Sequence, residues 1–463
     1  MTQVDKPLVQ DPNGKHGRRW LQFRLRTLLI VMALLTIPFT WVGLKMRQAE
    51  REEAAAAWVG KLEGTVELEQ SWFGNIVRGV QLDYRQPSDL SPLGGLAHLE
   101  ELYLDHTYVT DIAPLKGLSS LRELHLDVSQ LSDLSPLAGL ENLEVLHLTG
   151  KVSQELDISA LANLEHLRVL LLYRFRVHDL SPLDKLSRLE WLLVSCTPST
   201  DPAPLAKLTN LGGLDFRGGQ LNDLSLFTGL LRLESLRLYE TQVSDLSPLT
   251  RLTRLDELAI DSEQLTDLSP LKELKNLDTL VRTCERLADL SPIANLTELT
   301  SLTVLSEELT DLSPLRNLSD LEWLDLSGGS VTDVSPLQGL DLLEILSLSD
   351  TQVTDLSPLR NLVQLDALYL REVPATDLSP LANLESLTLL DLSNREEAGD
   401  LTPLKELIQL QDLWLDNTPA DEEQLEMLRQ ALPNCDISHV VPQLISQLQQ
   451  QIERDSLAVW SNN

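Results

Sequence analysis

His125 and His147 stand 22 residues apart, with Asp105, His106, Glu123 and Asp127 close to them in the chain. Two imidazoles and a carboxylate are a donor set that holds a transition metal when a fold brings them together. Here the spacing by itself closes no coordination sphere. The expectation from sequence is a polar ladder, with Tyr103 at its head, and no metal or other cofactor. A second set is apolar: Val145, Val169, Leu171, Tyr173, Trp191 and Leu193. Exposed together, they form the kind of aromatic and aliphatic patch that marks protein contacts; the alternative is that they shield one another. The nine candidates for partner contact are therefore these six with Tyr103, His125 and His147. Catalytic signatures are missing. The chain contains no Gly-x-Ser-x-Gly, no His-Glu-x-x-His and no phosphate loop.

What must position these residues is a repeat. The phrase Asp-aliphatic-Ser-Pro-Leu, in close variants, begins at Asp89, Asp111, Asp133, Asp157, Asp179, Asp201, Asp223, Asp245, Asp267, Asp289, Asp311, Asp333, Asp355, Asp377 and Asp400. The period is 22 residues, broken by 24 between Asp133 and Asp157 and 23 between Asp377 and Asp400. A fixed period of this length means a solenoid. Leu102 and Leu104 alternate with polar neighbours, as do Leu124 and Leu126 and their successors, so each repeat carries a short strand with one apolar face. Counting from Val80 and Leu82 to Leu413 and Leu415 gives about sixteen parallel strands. The Ser-Pro step predicts a short 3₁₀ or α turn on the convex side, with Ser or Thr as the cap and Pro in the first turn. The residue between the strand leucines, which is His125, His147, Leu171 or Leu193 in turn, faces the concave surface.

The repeat Leu-x-x-Leu-x-Leu followed by Val353-Thr-Asp-Leu-Ser-Pro-Leu359 resembles the 22-residue leucine-rich repeat of bacterial internalins over about residues 77–435. The resemblance implies an α/β solenoid, a horseshoe or arc, that recognises proteins on its concave face. The N-terminal run from Arg24-Leu-Arg26-Thr-Leu-Leu through Trp72-Phe73-Gly-Asn-Ile-Val is similar to membrane-anchored leucine-rich-repeat proteins of planctomycete bacteria.

Residues 27–44 contain no charge, and as a helix they match the hydrocarbon thickness of a bilayer. Lys6, Lys15, Arg18, Arg19, Arg24 and Arg26 precede the run. Lys45, Arg47 and Arg51 follow it, diluted by Glu50, Glu52 and Glu53. This bias predicts an uncleaved single-pass anchor with residues 1–26 cytoplasmic and the solenoid outside the cytoplasmic membrane, periplasmic or at the cell surface. Residues 45–76 then form a juxtamembrane helix and N-terminal cap, with Trp72 and Phe73 as a plug. Residues 77–435 are the solenoid and 436–463 a C-terminal helix or cap.

The formal net charge is −33, although residues 1–53 carry nine basic and five acidic residues. An acidic solenoid excludes nucleic acid as a partner. The three cysteines, Cys196, Cys284 and Cys435, form neither a metal spacing nor a disulfide framework. The expected function is non-enzymatic binding of a protein or polymer by a membrane-anchored solenoid. The competing readings are a cytoplasm-facing scaffold or regulatory subunit for an enzyme, and a self-associating surface protein. The sequence does not fix the oligomeric state.

Overall fold

The computed structural model describes residues 25–438, apart from 88, 220, 284 and 285 and the side chains of 25–31, 33, 35, 38, 282, 283 and 438. The described residues form one 18-stranded sheet. The sixteen strands expected from the repeat are present and pair in parallel, each with the next. Two further strands close the ends. Strand β1 (Thr65–Ser71) runs antiparallel to β2 (Gly74–Gln81), and Asp436–Ser438 adds one short strand after Asp412–Trp414.

Pairing keeps the repeat in register throughout. Gln81, Tyr103, His125, His147, Leu171, Leu193, Asp215, Arg237, Ala259, Val281, Thr303, Asp325, Ser347, Tyr369, Asp391 and Trp414 occupy one row across the sheet. The backbone ladder also passes through Arg282 without a shift, although an inward leucine stands there in other repeats. Behind the row, the strand leucines and the leucines of the return path form one continuous interior. A single repeat cannot enclose this face, so burial comes from neighbours on both sides.

Among the described residues fifteen 3₁₀ turns line the convex side. Their capping differs from the expectation. Ser or Thr is the first helical residue in twelve of the fifteen, and the Asp of the phrase does the capping. In all fifteen, Asp Oδ1 accepts the backbone N–H two residues on, at 2.8–2.9 Å. A carboxylate reaching its own chain two residues ahead is the Asx turn. This explains why Asp persists at Asp111, Asp201 and Asp400 even though Ala or Thr replaces the Ser. It also explains why the turns survive Ala160 and Leu226 in place of Pro.

Helix α1 (Leu25–Lys61) is continuous from the apolar run into the solenoid. Its C-terminal half caps the stack. Ala55 and Val59 are fully buried, and buried Glu52 accepts the backbone N–H of Val77 at 2.8 Å while Gln48 holds its other oxygen. Trp72 and Phe73 are not the plug. They form the tip of the β1–β2 turn, where Trp72 is fully exposed and Phe73 packs edge-on against Trp41, with ring centroids 5.4 Å apart. At the far end α2 (Glu422–Ala431), capped by Asp421, covers the last turn with Leu425 and Leu428. Among the described residues no helix is long and apolar enough to cross a membrane. The anchor expected at 27–44 falls partly on side chains outside the described set and stays an expectation from sequence. The basic segment before residue 25 and the C-terminal helix expected beyond 438 lie outside the described residues.

Candidate concave binding site

The two sets singled out from sequence lie side by side on the concave face. Tyr103, His125, His147 and Tyr173 make a row of rings on four adjacent strands, with centroids 4.8, 5.0 and 5.1 Å apart. This is the strand spacing of a parallel sheet. Asp105 joins the row. Its Oδ2 lies 3.2 Å from His125 Nδ1 and 3.8 Å from His147 Nδ1, and the two Nδ1 atoms are 3.3 Å apart. On the outer side, Glu123 Oε1 accepts from His125 Nε2 at 3.0 Å, and Thr149 Oγ1 lies 3.2 Å from His147 Nε2.

The electrostatics separate the two imidazoles. Burial works against the charge on His125, but Asp105 and Glu123 outweigh it and push its pKa up to about 9. His147 is driven down to about 4, chiefly by burial; Asp105 offsets this in part, and His125 adds to it. The row therefore carries one imidazolium, held by two carboxylates, beside one neutral imidazole.

Val145, Val169, Leu171, Tyr173, Trp191 and Leu193 are all half-buried. They shield one another in part, and each keeps a face toward solvent. Trp191 lies flat across Gly213 on the neighbouring strand: a Cβ at Gly213 would stand 2.0 Å from indole Cε3 and Cζ3. Only a glycine allows that approach.

Tyr173, Trp191 and Leu193 form the floor of a cleft of about 650 Å³. Sequence reasoning missed its rim. Arg174, Arg176, Arg217 and Arg237 line it, with Val152, Phe175, Asp215 and Glu240 among their neighbours. Arg237 is buried and paired with Glu257 at 2.7 Å, and Arg217 lies over the Tyr239 ring, 4.9 Å from its centroid. Arg174 and Arg176 are exposed. The 24-residue repeat was the available signal. Its two extra residues lengthen the strand Val145–Glu155, which bulges between Thr149 and Gln154 and then pairs again with Phe175 and Arg176. The strand Val169–Arg176 is lengthened with it, and together the extensions build one wall of the cleft. Cys196 lines the cleft as well. Burial raises its thiol to about 12, so it is a packing residue rather than a nucleophile.

Comparison with solved structures places the fold among leucine-rich-repeat proteins of the internalin type. The LRR protein LIC12759 of Leptospira interrogans aligns over 78% of this chain and 89% of its own, at 24% identity and a TM-score of 0.57. The functional domain of InlJ from Listeria monocytogenes aligns over 78% of each chain, at 19% identity and a TM-score of 0.57. InlF of Listeria monocytogenes covers 79% of this chain and 94% of its own, at 27% identity and a TM-score of 0.49. No protein-family model and no curated protein matches the chain. At these identities the likeness carries the fold and leaves the site to be argued from its own residues.

Proposed function

We propose that this protein is a non-enzymatic, membrane-anchored recognition protein whose concave face takes a segment of a partner protein into the cleft around Trp191. The observation that carries this reading is the composition of the cleft. An aromatic and aliphatic floor (Tyr173, Trp191, Leu193) meets exposed arginines (Arg174, Arg176, Arg217) on a chain that is otherwise strongly acidic. Buried aromatics and arginine are the residue types that dominate binding energy at protein contacts. The cleft suits an apolar side chain flanked by carboxylates. Such a segment would be repelled by most of the remaining surface, so the arginines also set where it docks.

Membrane anchoring belongs to the same proposal. The uncharged run 27–44, the basic excess before it and the aromatic cluster of Trp41, Phe73 and exposed Trp72 at its far end support a span with an interfacial belt. Because α1 is continuous into the cap, such an anchor would hold the solenoid at a fixed stand-off from the bilayer.

The binding test is capture of partners from the native envelope with the full chain. Wild type is compared with Trp191→Ala/Tyr173→Ala and with Arg174→Glu/Arg176→Glu. Both variants are expected to lose the specific partner, and capture undiminished by either would remove the cleft from consideration. A reporter fused after residue 60 tests topology. Activity only on the cytoplasmic side would favour the scaffold reading.

A further inference from the structure

Three atoms able to ligate a metal converge beside the cleft. Asp105 Oδ2, His125 Nδ1 and His147 Nδ1 form a triangle with edges of 3.2, 3.3 and 3.8 Å. A point at its centre is about 2.0 Å from each corner, which is the bond length zinc makes to imidazole nitrogen and carboxylate oxygen. Both imidazoles are turned toward this point by what holds their other nitrogens. His125 Nε2 faces Glu123 Oε1 at 3.0 Å, and His147 Nε2 faces Thr149 Oγ1 at 3.2 Å. A cation at the centre displaces the Nδ1 proton that His125 otherwise shares with Asp105; with the ring proton then on Nε2 in each case, both Nδ1 atoms present lone pairs to the centre. A carboxylate behind a ligating histidine is the usual outer support of a histidine–metal site. The remaining oxygen of Asp105, Oδ1, is buried without a donor. Tyr103 and Tyr173 pack against the two imidazoles from either side and limit their rotation.

We infer that Asp105, His125 and His147 form a binding site for a divalent transition metal of the zinc, cobalt or nickel class, with the fourth position open toward the concave surface. The nitrogen-rich donor set selects against calcium and magnesium, which take oxygen ligands. Three donors and an open position leave room for one exogenous ligand, either water or a carboxylate or imidazole from a bound partner. The repeat supplies the geometry. His125 and His147 share one register row, and Asp105 stands two positions beyond that row on the preceding repeat.

The test uses the full chain, purified without a histidine tag and stripped with chelator, in equilibrium dialysis against Zn(II) and in titration with Co(II). The expected result is one tightly held ion per chain, the visible absorption of tetrahedral Co(II), and a thermal midpoint raised by Zn(II) and not by Ca(II). His147→Gln and Asp105→Asn should each abolish the Co(II) band while far-UV circular dichroism stays native. Glu123→Gln should weaken binding about 10–100-fold, as loss of an outer-shell carboxylate does. His98→Ala and His166→Ala, which alter histidines outside the triad, should change nothing. A chain that retains no Zn(II) would overturn the assignment. So would binding that persists unchanged in His147→Gln and Asp105→Asn, since the ions would then sit on the acidic surface. Neither result refutes the Trp191 cleft, whose own test replaces different residues.

Discussion

Gly213 offers a sharp test of how the cleft floor is built. Its backbone lies in the strand Gly213–Gly218, directly under the Trp191 ring, with an added Cβ falling 2.0 Å from two indole carbons. Carbon–carbon contact requires about 3.5–4.0 Å, so Gly213→Ala forces the ring to retreat by roughly 1.5–2 Å. Trp191 buries one face against this strand. Freeing about 60–100 Å² of apolar surface costs about 1.5–2.5 kcal/mol at 25 cal/mol per Å². Against this, replacing Gly by Ala within a strand returns about 0.5–1 kcal/mol of backbone entropy. The single variant should thus lose about 0.5–2 kcal/mol, while the same change in a Trp191→Ala background should gain about 0.5–1 kcal/mol. A double-mutant cycle by urea denaturation, with local hydrogen exchange over residues 191–218, measures the difference. The coupling expected is about 1.5–2.5 kcal/mol. If Gly213→Ala costs the same with and without Trp191, the indole does not lie where we place it, and the floor of the cleft has to be redrawn.

Other outcomes follow from the scaffold. Leu258 is fully buried and stacked in register between Leu236 and Leu280, so Leu258→Ala should cost about 2–5 kcal/mol and weaken two repeat interfaces at once; urea unfolding should then split into separate N- and C-terminal steps, whereas Leu413→Ala near the end should only fray the last repeats. Arg395 is buried with Nε donating to Val373 O at 3.0 Å and Nη1 without an acceptor, and burial lowers its pKa. Arg395→Met should therefore leave the thermal midpoint equal or higher, and a marked drop would show that the guanidinium is paired. Two groups of carboxylates oppose each other in pH dependence. The turn-capping Asp89, Asp133, Asp179, Asp223, Asp267, Asp311, Asp333, Asp355, Asp377 and Asp400 have lowered pKa values from the N–H and hydroxyl bonds they accept, so their contribution is complete above about pH 4 and is lost as pH falls below it. Asp325 and Asp391 on the concave row are raised by burial, so they favour the folded state increasingly as pH falls toward their folded pKa values. Thermal midpoints measured from pH 8 to 3 should therefore peak under mildly acidic conditions and collapse below about pH 4; a steady fall from pH 7 downward would contradict the second group.

The register of the concave row was legible because a 22-residue period leaves no freedom in which residue faces which. Once Leu102 and Leu124 are in equivalent places, Tyr103 must pair with His125. What the period hides is the role of residues that never vary along it. The aspartate of every repeat reads as part of a phrase, and only the folded structure shows that its side chain, and not the serine hydroxyl, closes each turn. The rim of the cleft was illegible for the opposite reason. Arg174, Arg176 and Arg217 come together because the strands Val145–Glu155 and Val169–Arg176 run on past their usual end, and the extent of a strand is decided by the insertion and the bulge rather than by the repeat. Trp72 was misplaced because an aromatic pair before a solenoid suits a plug, whereas Ala55, Val59 and Val77 already fill that end.

A repeat protein puts most of its chemistry into holding itself together, so a function has to be sought where the repeat is broken. Here the breaks coincide. The long spacing between Asp133 and Asp157, the histidine pair that replaces ordinary concave residues, and the arginines around Trp191 fall within adjacent repeats. Tyr173 belongs to both sets: its ring packs on His147, 5.1 Å away, and its side chain lines the cleft. Anything that fixes the His147 ring also fixes Tyr173, and so presets part of the cleft floor before a partner arrives. Rigidity gained there lowers the ordering cost of binding. Zn(II) should therefore tighten partner capture by the wild-type chain and leave it unchanged in Asp105→Asn, which keeps the cleft intact and removes the ligand. Equal tightening in both would show that the ion acts on the partner and not through this row.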